Sequence, residues 1–244
     1  MCYNISYIEK RADKFAERFS DLLQGEKGNQ LRLFEQQPVY YFVSAFAYPT
    51  LPVITDEGLR FYQWGLIPKW VKDDKGVADI RMKTLNAVGE TVFEKPSFRG
   101  SIAKKRCILP VNGFYEWRDV AGRKYPYFIH LKQEGLLSLG CIYENWLDKA
   151  TGEIKNTFSI ITTPANPLLE KIHNLKKRMP LIISREDEKI WIDPKLEKED
   201  IQALIKPYDD DLMDAHTVST DANSSRKNRN VPEILEEVEY AGLD

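Results

Sequence analysis

Cys2 follows directly on Met1, and the chemistry open to it differs from that of any other cysteine in the chain. A small residue in second place lets methionine aminopeptidase remove the initiator, which leaves a free α-amine beside the thiol. No internal cysteine offers this 1,2-aminothiol, because its nitrogen is tied up in an amide. With reference pKa values of about 7.7–8.0 for the amine and about 8.5 for the thiol, each group is partly nucleophilic near neutrality. The matching electrophile is an aldehyde: the amine adds and loses water to give an imine, and the thiol closes on the same carbon to form a five-membered thiazolidine. The same pair also suits an N-terminal cysteine peptidase or amidase, in which the amine acts as base and the thiol attacks a carbonyl. Cysteine falls at position 2 by chance as well, so other residues must decide.

Glu116 sits between Tyr115 and Trp117 in an apolar strand pattern. Buried there, its carboxyl pKa would rise toward the range useful for proton transfer; facing outward, it would be an ordinary solvated side chain. His173 follows a Pro-flanked turn and the start of a short helix, where an ordinary pKa of about 6.5 suits proton shuttling. Of the other two histidines, His130 lies on an alternating strand and reads as structural or exposed, and His216 has no motif around it. Asn86 reads either as a turn asparagine or as a side chain that donates and accepts hydrogen bonds at once. Trp64 and Trp70 flank Pro68 as core residues or as a stacking wall, and base–aromatic stacking is worth about 1–3 kcal/mol per base. Cys2, Cys107 and Cys141 are odd in number, with no Cys-x-x-Cys pair and no histidine at metal-ligand spacing. Neither a disulfide nor a zinc site is expected, and no metal or other cofactor.

Taken in order with Cys2, five segments carry a family resemblance: Trp64-Gly65-Leu66-Ile67-Pro68-Lys69-Trp70, Asn86-Ala87-Val88-Gly89-Glu90-Thr91, Lys95-Pro96-Ser97-Phe98-Arg99, Gly113-Phe114-Tyr115-Glu116-Trp117, and Ile172-His173 through Arg178-Met179-Pro180. The series resembles the SOS-response-associated peptidase family, also called abasic-site processing proteins, from Cys2 to about Ile183 and less distinctly beyond. The resemblance implies single-stranded DNA containing abasic sites as the partner, with Cys2 forming a thiazolidine on the ring-opened sugar and the crosslink shielding the lesion. It assigns acid–base roles to Glu116 and His173 and gives Asn86 the task of holding Cys2. It places Trp64, Pro68, Lys69 and Trp70 along the DNA groove, with Lys69, Arg99 and Arg178 as phosphate contacts and Lys104, Lys105, Lys176 and Lys177 as steering charges. Weak lyase activity from the imine stage is an expected side reaction. The alternatives are the peptidase reading, which needs an oxyanion hole, and a plain single-strand binder with no covalent step.

Two departures stand out. Most members read Cys-Gly-Arg and Asn-Ala-Arg where this chain has Cys2-Tyr3-Asn4 and Asn86-Ala87-Val88. Both absent arginines are expected to touch phosphate, so binding should weaken and its log–log salt slope flatten by about two units.

The elements that must position these residues follow from hydrophobic period. Ile8, Ala12, Phe15, Ala16, Phe19, Leu22 and Leu23 recur at helical spacing, with Gly25 as a stop. Val39–Phe46, Pro52–Ile54 and Leu59–Trp64 read as strands, then Lys72–Lys105 as a mixed, partly helical stretch. Arg106–Pro110, Gly113–Asp119, Tyr125–Leu131, Leu136–Trp146 and Asn156–Thr163 read as a meander, with hairpin turns at Ala121-Gly122 and Thr151-Gly152. Leu181–Ile183 and Ala215–Ser219 add strands, and Glu186–Ile192 and Lys198–Ile205 add helices. The expectation is an α+β fold with a predominantly antiparallel, barrel-like sheet flanked by helices, as one domain over 1–244. The core motifs occupy 2–183, and 184–244 form a C-terminal extension.

With 43% hydrophobic and 30% charged residues, the 244-residue chain has enough apolar content for a sizeable core. A formal net charge of −2 leaves any nucleic-acid contact to a local basic patch, set against the solvated acidic runs Glu186–Glu199 and Asp209–Asp214. No apolar run reaches membrane-spanning length and no signal peptide is seen, so a cytoplasmic monomer is expected, nucleoid-associated when bound to DNA. The basic tail Ser224–Asn230 reads as a disordered segment or as a flexible phosphate contact.

Overall fold

The computed structural model describes residues 2–9, 11–23 and 29–243. In chain order the strands are β1 (Asn4–Tyr7), β2 (Tyr40–Ser44), β3 (Thr50–Thr55), β4 (Gly58–Trp64), β5 (Asn86–Val88), β6 (Arg106–Val111), β7 (Gly113–Val120), β8 (Arg123–Leu131), β9 (Leu137–Leu147), β10 (Ile154–Pro164), β11 (Arg178–Pro180), β12 (Ile182–Ile183) and β13 (Met213–Thr217). The helices are α1 (Ala12–Arg18), α2 (Asn29–Glu35), α3 (Asp74–Arg81), α4 (Arg99–Ile102), α5 (Pro167–Ile172), α6 (Glu188–Ile192) and α7 (Lys198–Leu204).

The expected α+β barrel is present. Strands β10, β4, β3, β6 and β9 pair in that order, and β9 pairs back onto β10, so five strands close on themselves and leave no free edge among them. Two pairings are parallel, β10 with β4 and β10 with β5. A meander alone does not produce them: β10 returns beside strands made much earlier in the chain.

A second sheet, wholly antiparallel, runs β13-β8-β7-β1-β2. Gly113 opens β7 opposite Ser6, where a Cβ would lie only 2.5 Å from the Ile129 carbonyl oxygen, so the close approach of β7 to β8 requires glycine. The turn Ala121-Gly122 has positive φ at both residues, as a tight right-twisting hairpin demands. Ile5, Phe114 and Ile129 of this sheet share one buried cluster with Leu109, Leu139 and Ile160 of the barrel.

The first helix is shorter than its apolar period suggested. Tyr7 ends β1, the Ile8 amide donates to Asn112 Oδ1 at 2.8 Å, and helix begins only at Ala12. Phe19–Leu23 continue as turns, fixed by the packing of Phe15 on Phe19 and Phe34, while Gly25 lies outside the described residues.

Candidate active site

Strand β1 is inserted between β2 and β7, with Ile5 opposite both Val43 and Phe114. The strand that follows Cys2 is therefore held between two partners, one place in from the sheet edge, and Cys2 is buried with no exposed surface. On β7, alternation sends Phe114 and Glu116 to the face shared with the barrel, and Tyr115 and Trp117 to the other. The outward reading of Glu116 is excluded, since only 3% of the residue is exposed.

His173 caps the C-terminus of α5. That helix starts at Asn166, whose side chain accepts from the Leu169 amide at 2.9 Å, followed by Pro167 in the first turn. The His173 Nδ1 lies 2.7 Å from the Arg178 carbonyl oxygen and 3.6 Å from Glu116 Oε2. A nitrogen facing a carbonyl at that distance carries the hydrogen, which leaves Nε2 with the lone pair.

Burial pushes the Glu116 carboxyl up to about 8, with the positive charges of the chain terminus and Lys176 pulling it partly back. Burial likewise pushes the His173 imidazole down to about 4, helped by the same two charges and opposed by the bond to Arg178. At neutral pH the pair is thus an acid and a base that are both uncharged, rather than a salt bridge. The Cys2 thiol is raised by burial and, to a lesser degree, by the Glu116 charge, so it too keeps its proton.

Asn86 begins β5, opposite Ile160. Both polar atoms of its amide are buried, and neither forms a well-aligned hydrogen bond among the described residues. The Tyr3 hydroxyl lies close enough to be drawn down by it, against the larger upward push of burial. A buried amide without such bonds is costly, at about 1–3 kcal/mol, and is the kind of group that a bound ligand satisfies.

Glu116 and His173 open onto a cleft of about 1030 Å³, which Tyr3, Phe46, Lys124 and Arg229 also line. None of the residues expected along the groove, Trp64, Pro68, Lys69, Trp70, Arg99 and Arg178, lines this cleft. Trp64 is wholly buried, stacked on Phe158, and donates from Nε1 to the Leu85 carbonyl at 2.7 Å. It fixes the entry to β5, and so Asn86, and offers no face to a base. Pro68 is buried as well. The Arg178 guanidinium forks onto the Glu90 carboxylate and donates to the Thr162 carbonyl at 2.8 Å, so it locks the wall on which its own carbonyl holds His173. Lys69 lies 3.9 Å from the Glu144 carboxylate, Trp70 donates to the Pro96 carbonyl at 3.2 Å, and Arg99 is exposed on α4. These three are surface residues outside the cleft.

Asn174 had no signal in the sequence beyond its place after His173. Its Nδ2 donates to the Asp119 carbonyl at 2.8 Å and its Oδ1 accepts from the Asp119 amide at 3.0 Å, which clips the histidine loop to the strand bearing Glu116. Asn174→Ala is expected to cost about 1–3 kcal/mol in chemical denaturation and to slow any reaction that needs the Glu116–His173 spacing. A variant as stable and as active as the parent would remove Asn174 from this role.

Among the described residues, no cluster of histidine, cysteine or carboxylate side chains is suited to hold a metal, and no helix is long and apolar enough to cross a membrane.

A buried second-position cysteine within electrostatic reach of a buried Glu–His pair, carried where an antiparallel sheet meets a closed barrel, defines a narrow class of protein. The chain belongs to the SOS response associated peptidase (SRAP) family, whose sequence profile matches residues 1–225. The abasic site processing protein YoqW of Bacillus subtilis is 44% identical over 176 residues, covering 71% of this chain and 74% of that protein. The abasic site processing protein HMCES of Gallus gallus is 33% identical over 199 residues, covering 72% of this chain but 56% of its own length. A crystal structure of a Bacteroides thetaiotaomicron protein superimposes with a TM-score of 0.88 at 41% identity, covering 97% of this chain and 100% of the other. A Bordetella bronchiseptica protein at 21% identity and a TM-score of 0.72 shares the fold.

Proposed function

We propose that this chain processes abasic sites in single-stranded DNA by trapping the ring-opened sugar on Cys2 once Met1 is removed. The amine of Cys2 adds to the C1′ aldehyde, and the resulting carbinolamine loses its hydroxyl as water. The thiol then adds to the imine carbon while its proton passes to the nitrogen. Aldehyde and aminothiol thus give a thiazolidine and one water.

The observation that carries this reading is the buried Glu116–His173 pair, 3.6 Å apart, with the acid above its ordinary range and the imidazole below. Loss of hydroxide from a carbinolamine needs a proton donor that is still protonated at neutral pH, and Glu116 meets that requirement. The imidazole supplies an uncharged acceptor at Nε2, since Nδ1, the nitrogen nearer Glu116, carries the hydrogen. Because burial keeps the Cys2 thiol protonated, the amine acts first and the sulfur follows. A peptidase mechanism begins instead with a thiolate, which this environment disfavours.

A uracil-containing single strand treated with uracil-DNA glycosylase, incubated with the mature protein, is expected to yield a heat-stable, slower-migrating band on a denaturing gel. Release of amines from peptides with no such band would overturn the reading in favour of hydrolysis. A gel shift without any covalent product would reduce the protein to a binder.

A further inference from the structure

We propose that Arg229 is the phosphate-binding residue of the cleft, and that the C-terminal strap carrying it makes the strand-backbone contact which Asn4 and Val88 do not. The inference rests on the DNA reading above and adds a residue that lies beyond the family-matched segment 1–225.

The strap is pinned at both ends. Asn223 accepts from Trp117 Nε1 and donates to the Lys124 carbonyl at 3.1 Å, on the β7–β8 hairpin. Asn230 accepts from the Tyr41 amide of the edge strand β2 at 2.7 Å and donates to the Val39 carbonyl just before that strand at 3.1 Å. Arg229 therefore sits on backbone fixed beside the cleft, unlike a residue in a free tail.

Its guanidinium is held in place but not neutralised. It lies 4.3 Å over the Phe42 ring, and Nη1 makes a long contact of 3.4 Å to the Ala222 carbonyl. Arg18, Arg60 and Arg178 each face a carboxylate, whereas no ion pair forms at Arg229 among the described residues. Burial works against its charge, and a phosphate in the cleft would offset that cost.

The surroundings have the same sign. Arg123, Lys124 and Lys176 line the cleft with Arg229, against Asp119 and the largely protonated Glu116. A planar guanidinium stacked on an aromatic ring retains the donor fork that fits a phosphodiester. A strand crossing between the β7–β8 hairpin and the strap would bring its backbone to Arg229 as the abasic sugar reaches Glu116 and His173.

The test is equilibrium binding of an undamaged single-stranded oligonucleotide across a salt series, beside crosslinking of the abasic strand. Arg229→Gln is expected to weaken binding about tenfold and lower the log–log salt slope by about 0.7, the share of one phosphate contact on a single strand. Arg229→Lys keeps the charge, so it should restore the slope while recovering only part of the affinity. The exposed neighbour Arg226, which does not line the cleft, is the control through Arg226→Gln. If Arg229→Gln changes affinity and slope no more than Arg226→Gln, while wild type binds and crosslinks, the role of Arg229 falls and the function reading stands. If wild type neither retains the strand nor crosslinks, both fall.

Discussion

Cys2→Ala is expected to abolish the heat-stable adduct on an abasic strand, because no other residue of the chain can present an amine and a thiol to one carbon. Cys2→Ser keeps the amine, so an imine reducible by borohydride should still form, closing only to a less stable oxygen ring. A chain that retains Met1, verified by intact mass, is expected to be as inert as the alanine variant. Its terminal amine belongs to a residue without the thiol, and the Cys2 nitrogen is an amide. The measurement is the fraction of strand shifted on a denaturing gel after heating. A heat-stable band from Cys2→Ala, or from the Met1-retaining chain, would place the covalent bond elsewhere.

Glu116→Gln should have two effects of opposite sign. Adduct formation is expected to slow by about 10²–10⁴-fold, the usual contribution of a positioned proton donor, with the loss greatest below pH 8, where the native carboxyl holds its proton. Folding stability should rise. Between the ordinary carboxyl value of 4.5 and about 8, the unfolded chain has released the Glu116 proton while the folded chain keeps it. Stability of the parent therefore falls as pH increases through that window, by about 1.4 kcal/mol per pH unit. Glutamine cannot ionise and escapes this penalty. Denaturant titrations should show parent and variant nearly equal near pH 4 and separated by on the order of 4 kcal/mol near pH 8. An equal gap at both values would mean that the carboxyl is not buried as a neutral acid. His173 runs the other way: its folded value of about 4 lies below the ordinary 6.5, so its contribution is full above 6.5 and is lost as pH falls toward 4.

The chemistry of the site was more legible in the sequence than its walls. Cys2, Glu116 and His173 are recognisable from residue type and ordered motifs, and the structure brings the acid and the imidazole together. Burial of Glu116 follows from strand parity, but parity needs the register of β7, which tolerates either choice in a Phe-Tyr-Glu-Trp run. Trp64 shows the same ambiguity with the opposite outcome, since a tryptophan beside a glycine turn serves equally as core or platform. Its complete burial, its stacking on Phe158 and the bond from its indole to Leu85 decide for the core. The strand Asn4–Tyr7 is too short and too mixed to announce itself, and the parallel return of β10 depends on contacts remote in the chain. Asn174 could not be found by pattern, because its bonds run to the backbone of another strand. The basic run Ser224–Asn230 reads as a disordered tail or a flexible phosphate contact, and the bonds of Asn223 before it and Asn230 at its end fasten it beside the sheet.

The place of β1 between β2 and β7 sets a timetable for its assembly. Ile5 pairs with Phe114, which leaves the ribosome long after it; at about 5–20 residues per second, the strand waits on the order of 5–20 s for its neighbour. During that interval β1 can pair only with β2, and its other edge stays open. Once β7 is in place, the Cys2 side chain has no surface left to solvent. On the proposed aldehyde chemistry, removal of the initiator is expected to precede that step.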